Sequence, residues 1–174
     1  MRKLIAFLCF FSFASYINAQ KASKHLTVLG DVGIPVGDFE DLYKMGYGGL
    51  LKFSTSLKGS NELTVSTGVS FYTIKLRYTT TDETQTYRVL PLLIGYRHHW
   101  SNFFIEPQAG AGFYQMRHEF KDQKSIQWHT AFTSAVAIGY LTDHFEMSVR
   151  YQTGLKRDDH VSLISLSTGY HFSL

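Results

Sequence analysis

The sequence predicts an all-β chain: an eight-stranded antiparallel up-and-down transmembrane β-barrel preceded by a cleavable signal peptide. Three observations carry that reading. The N-terminus has the layout of an export signal. Most of the remaining chain alternates apolar and polar residues with a period of two. The links between these segments alternate between short and longer.

Arg2 and Lys3 supply a basic start, Leu4 to Ala14 an apolar run, and Ile17-Asn18-Ala19 the approach to a cleavage site before Gln20. Cleavage is expected after Ala19, leaving residues 20 to 174 as one outer-membrane β-barrel domain. A retained helical span would need about 20 consecutive apolar residues, and Ser12 and Ser15 interrupt this run. Cys9, the single cysteine, lies inside the run behind Phe7-Leu8, which weakens a lipoprotein reading and leaves the mature chain without a disulfide. The chain carries 17 Lys and Arg against 14 Asp and Glu. Loss of Arg2 and Lys3 brings the mature protein close to neutrality, which argues against a nucleic-acid partner. No later apolar run reaches the length of a helical span, so a membrane crossing requires a closed barrel.

The strands follow in order. Leu26, Val28, Gly30, Val32, Ile34 and Val36 form one face of the first, and Tyr47, Gly49, Leu51, Phe53, Thr55 and Leu57 one face of the second, with a turn at Lys58-Gly59-Ser60-Asn61. The third, about Glu62 to Thr79, begins with Leu63, Val65, Val69 and Phe71 on one parity and ends with Ile74, Leu76 and Tyr78 on the other. That change of parity predicts a bulge near Tyr72 or Thr73. The fourth, about Thr86 to His98, is apolar on both faces. In the fifth, Phe103, Ile105, Pro107, Ala109, Ala111 and Phe113 oppose Phe104, Glu106, Gln108, Gly110, Gly112 and Tyr114. The sixth sets Trp128, Phe132, Val136, Ile138 and Tyr140 against alanines, Thr133 and Gly139. The seventh sets Phe145, Met147, Val149 and Tyr151 against Glu146, Ser148, Arg150 and Gln152, and the last sets Ile164, Leu166, Tyr170 and Phe172 against Ser165, Ser167, Gly169 and His171.

The links at Lys58 to Asn61, His98 to Asn102 and Thr142 to His144 are short. Those at Gly37 to Met45, Thr79 to Gln85, His118 to Gln127 and Lys156 to His160 are mostly longer and more polar. Short periplasmic turns and longer outer loops produce this alternation, placing the chain in the bacterial outer membrane. Eight strands enclose an interior that side chains fill, so the apolar face must meet lipid and the polar residues and glycines must point inward. Aromatics near strand ends, among them Tyr47, Tyr78, Tyr87, Phe103, Phe113, Trp128, Tyr140, Phe145, Tyr170 and Phe172, suit two interfacial girdles.

The signal, the alternating strands, Gly33-Ile34-Pro35-Val36-Gly37-Asp38-Phe39, Gly46-Tyr47-Gly48-Gly49, Glu106-Pro107-Gln108-Ala109-Gly110-Ala111-Gly112 and the terminal Gly-Tyr-x-Phe occur in an order that resembles the small outer-membrane β-barrel domain proteins common in Bacteroidetes. A looser likeness extends to eight-stranded OmpA- and OmpX-like barrels. The resemblance implies insertion by the barrel assembly machinery with periplasmic chaperones, and makes Gly169, Tyr170 and Phe172 the C-terminal assembly signal. Ser173-Leu174 follow the aromatic, a departure from the family pattern.

The charged residues of inward parity are Asp31, Lys52, Glu106, Glu146 and Arg150, with Lys75 or Arg97 joining according to the bulge. Charges in a narrow lumen need partners. Asp31 is expected opposite Lys52, and Glu106 across the lumen from Arg150. Such a network reads more readily as a polar plug than as an ion gate. Lys121, Lys124, Lys156 and Arg157 on the outer loops suit contacts to lipopolysaccharide phosphates. Asp158-Asp159-His160 places carboxylates beside an imidazole, but its loop is short and neither G-x-S-x-G nor H-E-x-x-H occurs. The eight histidines cluster near strand ends rather than at metal-ligand spacing. No cofactor or metal is expected. Gln20 to Lys24 are too few for the amphipathic N-terminal helix of a lipid-acyltransferase barrel. The expected protein is therefore a monomeric, non-enzymatic outer-membrane barrel with a structural or surface-interaction role. The alternatives are a narrow, porin-like transport or secretion-associated barrel and a soluble periplasmic lipid-binding barrel.

Overall fold

The computed structural model describes residues 23–57, 59–75, 83–120, 123–155 and 160–174. The expected signal segment, Tyr78, Lys121, Lys156, Arg157 and Asp158-Asp159 lie outside the described residues, as does the side chain of Lys124. Eight strands succeed one another: β1 (Lys24–Val36), β2 (Gly46–Ser56), β3 (Asn61–Thr73), β4 (Glu83–Trp100), β5 (Phe103–Phe120), β6 (Gln123–Leu141), β7 (Phe145–Leu155) and β8 (His160–Ser173). Each pairs antiparallel with its neighbour, and β8 returns to β1, closing the sheet. Closure leaves no free edge along the barrel wall, as a membrane interior demands. Among the described residues no helix is long and apolar enough to cross a membrane.

The stagger of the ladders fixes the barrel's shape. Leu26 faces Phe53, then in turn Val65, Ile94, Ala109, Ser134, Thr153 and Ser162, and Ser162 faces Val36. One circuit thus returns to β1 ten residues from its start. With ~3.3 Å per residue and ~4.8 Å between strands, this corresponds to a strand tilt of about 40°.

Every ladder keeps one register from end to end, so the bulge expected in β3 is absent. Tyr72 and Ile74 share the inward face of Thr64, Ser66 and Ser70. The parity change in the sequence has a different cause: near the loop end the lumen itself becomes apolar, and large hydrophobic residues there face inward.

The start of β1, the end of β8 and the short turns share one end of the barrel, and the strand ends joined by the longer links share the other. At the loop end the first link contains α1 (Asp38–Leu42), a single turn absent from the sequence reading. Gly37, at φ 65°, makes the left-handed bend that admits it, and Asp38, Glu40 and Asp41 complement the helix N-terminus. Hydrogen bonds from Lys44 N to Thr73 O and from Lys75 N to Leu42 O lace this link to β3. The fifth link is mostly strand rather than loop. β5 and β6 stay paired from Phe103↔Tyr140 to Phe120↔Gln123, because each polar rim residue still finds a backbone partner across the hairpin.

Candidate functional site: a filled lumen and a projecting rim

Two chemically distinct layers fill the lumen. Toward the turn end lies a buried ion cluster centred on Glu106, from β5. Its Oε2 accepts from Lys52 Nζ at 3.1 Å and from Arg97 Nε and Nη2 at 2.8 and 2.7 Å, while Oε1 accepts from Thr64 Oγ1 and Gln108 Nε2 at 2.7 and 2.6 Å. Glu146, from β7, accepts from Lys52 Nζ at 2.7 Å and from Arg97 Nη2 at 3.0 and 3.1 Å. Glu62 lies 3.9 Å from Arg97 Nη1. The Phe104 ring lies 4.0 Å from the Arg97 guanidinium carbon and backs the cluster. Two cations thus share two fully enclosed carboxylates, the arrangement a charge removed from water requires.

The expected pairings within this layer are corrected by the register. Lys52 stands opposite Thr27, and Asp31 opposite Gly48, so Asp31 and Lys52 are not cross-strand partners. Asp31 instead accepts from Ser167 Oγ at 2.7 Å and Ser70 Oγ at 3.2 Å. Glu106 turns toward Lys52 and Arg97 rather than toward Arg150, which is buried higher on β7. Arg97 joins the cluster because the straight register of β4 keeps it on the face of Leu93 and Gly95, whereas Lys75 stays half-exposed on the opposite parity. Counting by twos from Gly95 would have found Arg97. Glu62 gave no comparable signal, standing at the start of its strand beside a turn.

Toward the loop end the filling is aromatic. Phe39 of α1 packs on Tyr43, Tyr72 and Tyr87 at ring separations of 4.5, 5.8 and 5.0 Å, and Tyr114, Ile74, Val89, Val161 and Leu163 complete the cluster. Tyr87, assigned above to a girdle, points into the lumen and is 5% exposed. Glycines admit these rings. A Cβ on Gly33 or Gly46 would strike Tyr72, and one on Gly112 or Gly154 would strike Tyr114. These four glycines are therefore seats for aromatic rings in a lumen too narrow for two side chains at one level. Tyr43 Oη accepts from Gln85 Nε2 at 3.1 Å. Burial pushes the Tyr43 hydroxyl up to about 12, so it stays protonated.

Each end of this filling opens on a recess. The one at the turn end, about 680 Å³, is lined by His25, Glu62, His99, Asp143, His144 and His171. That at the loop end, about 340 Å³, lies among Phe39, Leu42, Tyr87, Trp128 and His160. Among the described residues no group of three or more His, Cys, Asp or Glu is placed to hold a metal ion. His98 and His99 point to opposite faces, the first toward Asn61 and the second toward Glu62.

The outer wall carries Val28, Val32, Ile34, Leu51, Ile94, Ile138, Val149 and Leu166, all more than two-fifths exposed. Tyr170 and Phe172 also face outward, their rings 4.6 Å apart, where β8 closes on Val28 and Leu26 of β1. Gly169 precedes them on the inner parity, where a Cβ would strike the Val28 carbonyl. At the loop end the β6–β7 ladder stops at Phe132↔Leu155 while the β5–β6 ladder continues. Among the described residues, 123–131 of β6 therefore pair on one side only and project past the rim.

No family model matches the sequence, and no curated protein matches it. Solved structures do share its architecture. Ail, the attachment invasion locus protein of Yersinia pestis, superposes with a TM-score of 0.61 at 14% identity, covering 87% of this chain and 97% of that one. Neisserial surface protein A gives 0.58 at 11% identity over 89% and 100%. The N-terminal β-barrel domain of Pseudomonas aeruginosa OprF gives 0.58 at 10% over 87% and 100%. With these small outer-membrane proteins the chain shares one fold, a closed eight-stranded antiparallel β-barrel.

Proposed function

We propose that the protein is a non-enzymatic outer-membrane barrel with a structural or surface-interaction role, of the type common in Bacteroidetes. The observation that carries this reading is the inversion of the two faces: aliphatic and aromatic residues cover the outer wall, while ion pairs and packed rings occupy the lumen. A soluble lipid carrier needs the reverse, an apolar cavity inside a polar wall. A transport role finds less support, because the lumen is occupied along both layers. Residues 1–19 act as the export signal and 20–174 as the barrel, with Gly169, Tyr170 and Phe172 presented to the assembly machinery. The loop end is the outer end. Its contact surface is the projecting β5–β6 hairpin with Lys121 and Lys124, together with Lys156 and Arg157 of the last loop, which suit lipopolysaccharide phosphates and extended segments of other proteins.

Cell fractionation with gel mobility read before and after boiling tests the reading. Heat-modifiable migration in the outer-membrane fraction is the expected result; a soluble periplasmic protein whose mobility is indifferent to boiling would overturn it.

A further inference from the structure

The described outward-facing side chains of the eight strands are nearly all apolar or hydroxylic. Among the described side chains, the charged ones on this face are Lys24, the first residue of β1, and the pair Arg88 and Arg117. Arg88 faces Phe71 on β3 and Gln115 on β5, and Arg117 faces Thr86 on β4 and Ile126 on β6. The two arginines are thus diagonal neighbours on adjacent strands, a separation of about 7 to 8 Å between backbones. Thr86 faces Thr73, so two outward hydroxyls lie beside the pair. The Arg88 guanidinium carbon lies 5.3 Å from the centroid of the Phe71 ring, which orients its planar fork along the wall. Arg88 Nε is buried and has no hydrogen-bond partner among the described residues.

A cation on a lipid-facing wall costs about 2 to 4 kcal/mol at mid-membrane and about 0 to 1 near the interface. Both arginines lie on the loop-end side of the apolar belt, above Leu90, Leu92 and Ile94 on β4 and above Phe113 and Ala111 on β5. This is the level of lipid headgroups. Two neighbouring guanidinium groups with the Thr86 hydroxyl beside them offer the positive charge and donors that a phosphate takes.

We propose that Arg88 and Arg117, with Thr73 and Thr86, form a binding site on the outer wall for the phosphomonoester headgroup of a membrane lipid. The inference rests on the reading that the outer wall is embedded in a membrane. It assigns the lipid contact to the wall itself, apart from the lysines and arginine of the loops.

Native mass spectrometry of the refolded full-length mature barrel, titrated in neutral detergent with phosphatidic acid or phosphatidylcholine, tests it. Wild type is expected to retain phosphatidic acid at least about tenfold more tightly than phosphatidylcholine. R88Q/R117Q is expected to fall to the phosphatidylcholine level, and K24Q to behave as wild type. A wild type without preference, or a double variant that keeps it, overturns the proposal. Inorganic phosphate that binds as tightly as the lipid and displaces it would assign the site to free phosphate and overturn the lipid assignment. If the double variant does not fold, wild type decides alone: its preference must fall with rising salt, and a salt-independent preference overturns the site. A wild type without heat-modifiable mobility would sink the membrane-barrel reading, whereas a folded barrel lacking lipid preference sinks this inference only.

Discussion

The two halves of the lumen solve the same packing problem with opposite chemistry. Near the turn end, Lys52, Arg97, Glu106 and Glu146 cancel one another's charge away from water. At the loop end, Phe39 and four tyrosines close the mouth with rings seated on glycines. Ion pairs hold strands together across the barrel through directional contacts, so a missing member leaves a buried charge stranded. A ring cluster is tolerant, since neighbouring side chains or water can fill part of a lost volume. The contrast teaches that the ionic layer locks the barrel, while the aromatic layer stoppers it through a short helix packed against the wall.

The predictions probe that contrast in order of size. Glu106→Gln keeps the shape of the hub and removes its charge, leaving Lys52 and Arg97 to share the Glu146 carboxylate with one buried positive charge uncompensated. It is expected to lower stability by about 3 to 5 kcal/mol, read from urea unfolding followed by the loss of heat-modifiable mobility. Phe39→Ala is expected to cost roughly 2 kcal/mol, below the ~3 to 5 kcal/mol of a fully enclosed phenylalanine, because water refills the mouth. Its amide exchange should rise across 38–43 and leave the β7–β8 ladder unchanged. A loss for Phe39→Ala equal to that of Glu106→Gln would erase the distinction between the halves. Ser167→Ala removes the shorter of the two seryl hydrogen bonds to Asp31, and an expected loss of about 1 to 2 kcal/mol would make this single contact worth less than either layer.

The smallest effect concerns pH. Burial raises the Tyr43 hydroxyl from 10.0 to about 12. A group held neutral in the folded state contributes stability that is fully present below pH 10 and is lost as pH rises through 12. Tyr43→Phe should therefore flatten the fall in loop-end protection between those values, measured by amide exchange at α1. An unchanged slope would remove Tyr43 from the stopper.

Much of this architecture was legible from alternation alone, since a strand with one lipid-facing side repeats every second residue. β1, β5, β7 and β8 show their faces directly through runs such as Glu146, Ser148, Arg150 and Gln152. β3 and β4 misled because the inward face changes character along the barrel. Tyr72, Ile74, Tyr87 and Val89 are as apolar as the outer wall, and no single-strand pattern distinguishes a ring in the stopper from one in a girdle. The ion pairing was illegible for another reason. Which carboxylate meets which cation depends on the ten-residue stagger around the barrel, a property of eight ladders together. The α1 turn was hidden in a five-residue acidic stretch too short for helical periodicity.

The central claim is that the apolar outer wall faces acyl chains. The chain has two tryptophans, Trp100 near the turn end and Trp128 near the loop end, 47% and 58% exposed on that wall. The most direct measurement is their fluorescence in liposomes, quenched by lipids brominated along the acyl chain and, separately, by aqueous iodide. Strong quenching by the brominated lipid with little by iodide is the predicted result. Strong iodide quenching with no response to brominated lipid would place the wall in water and contradict the account.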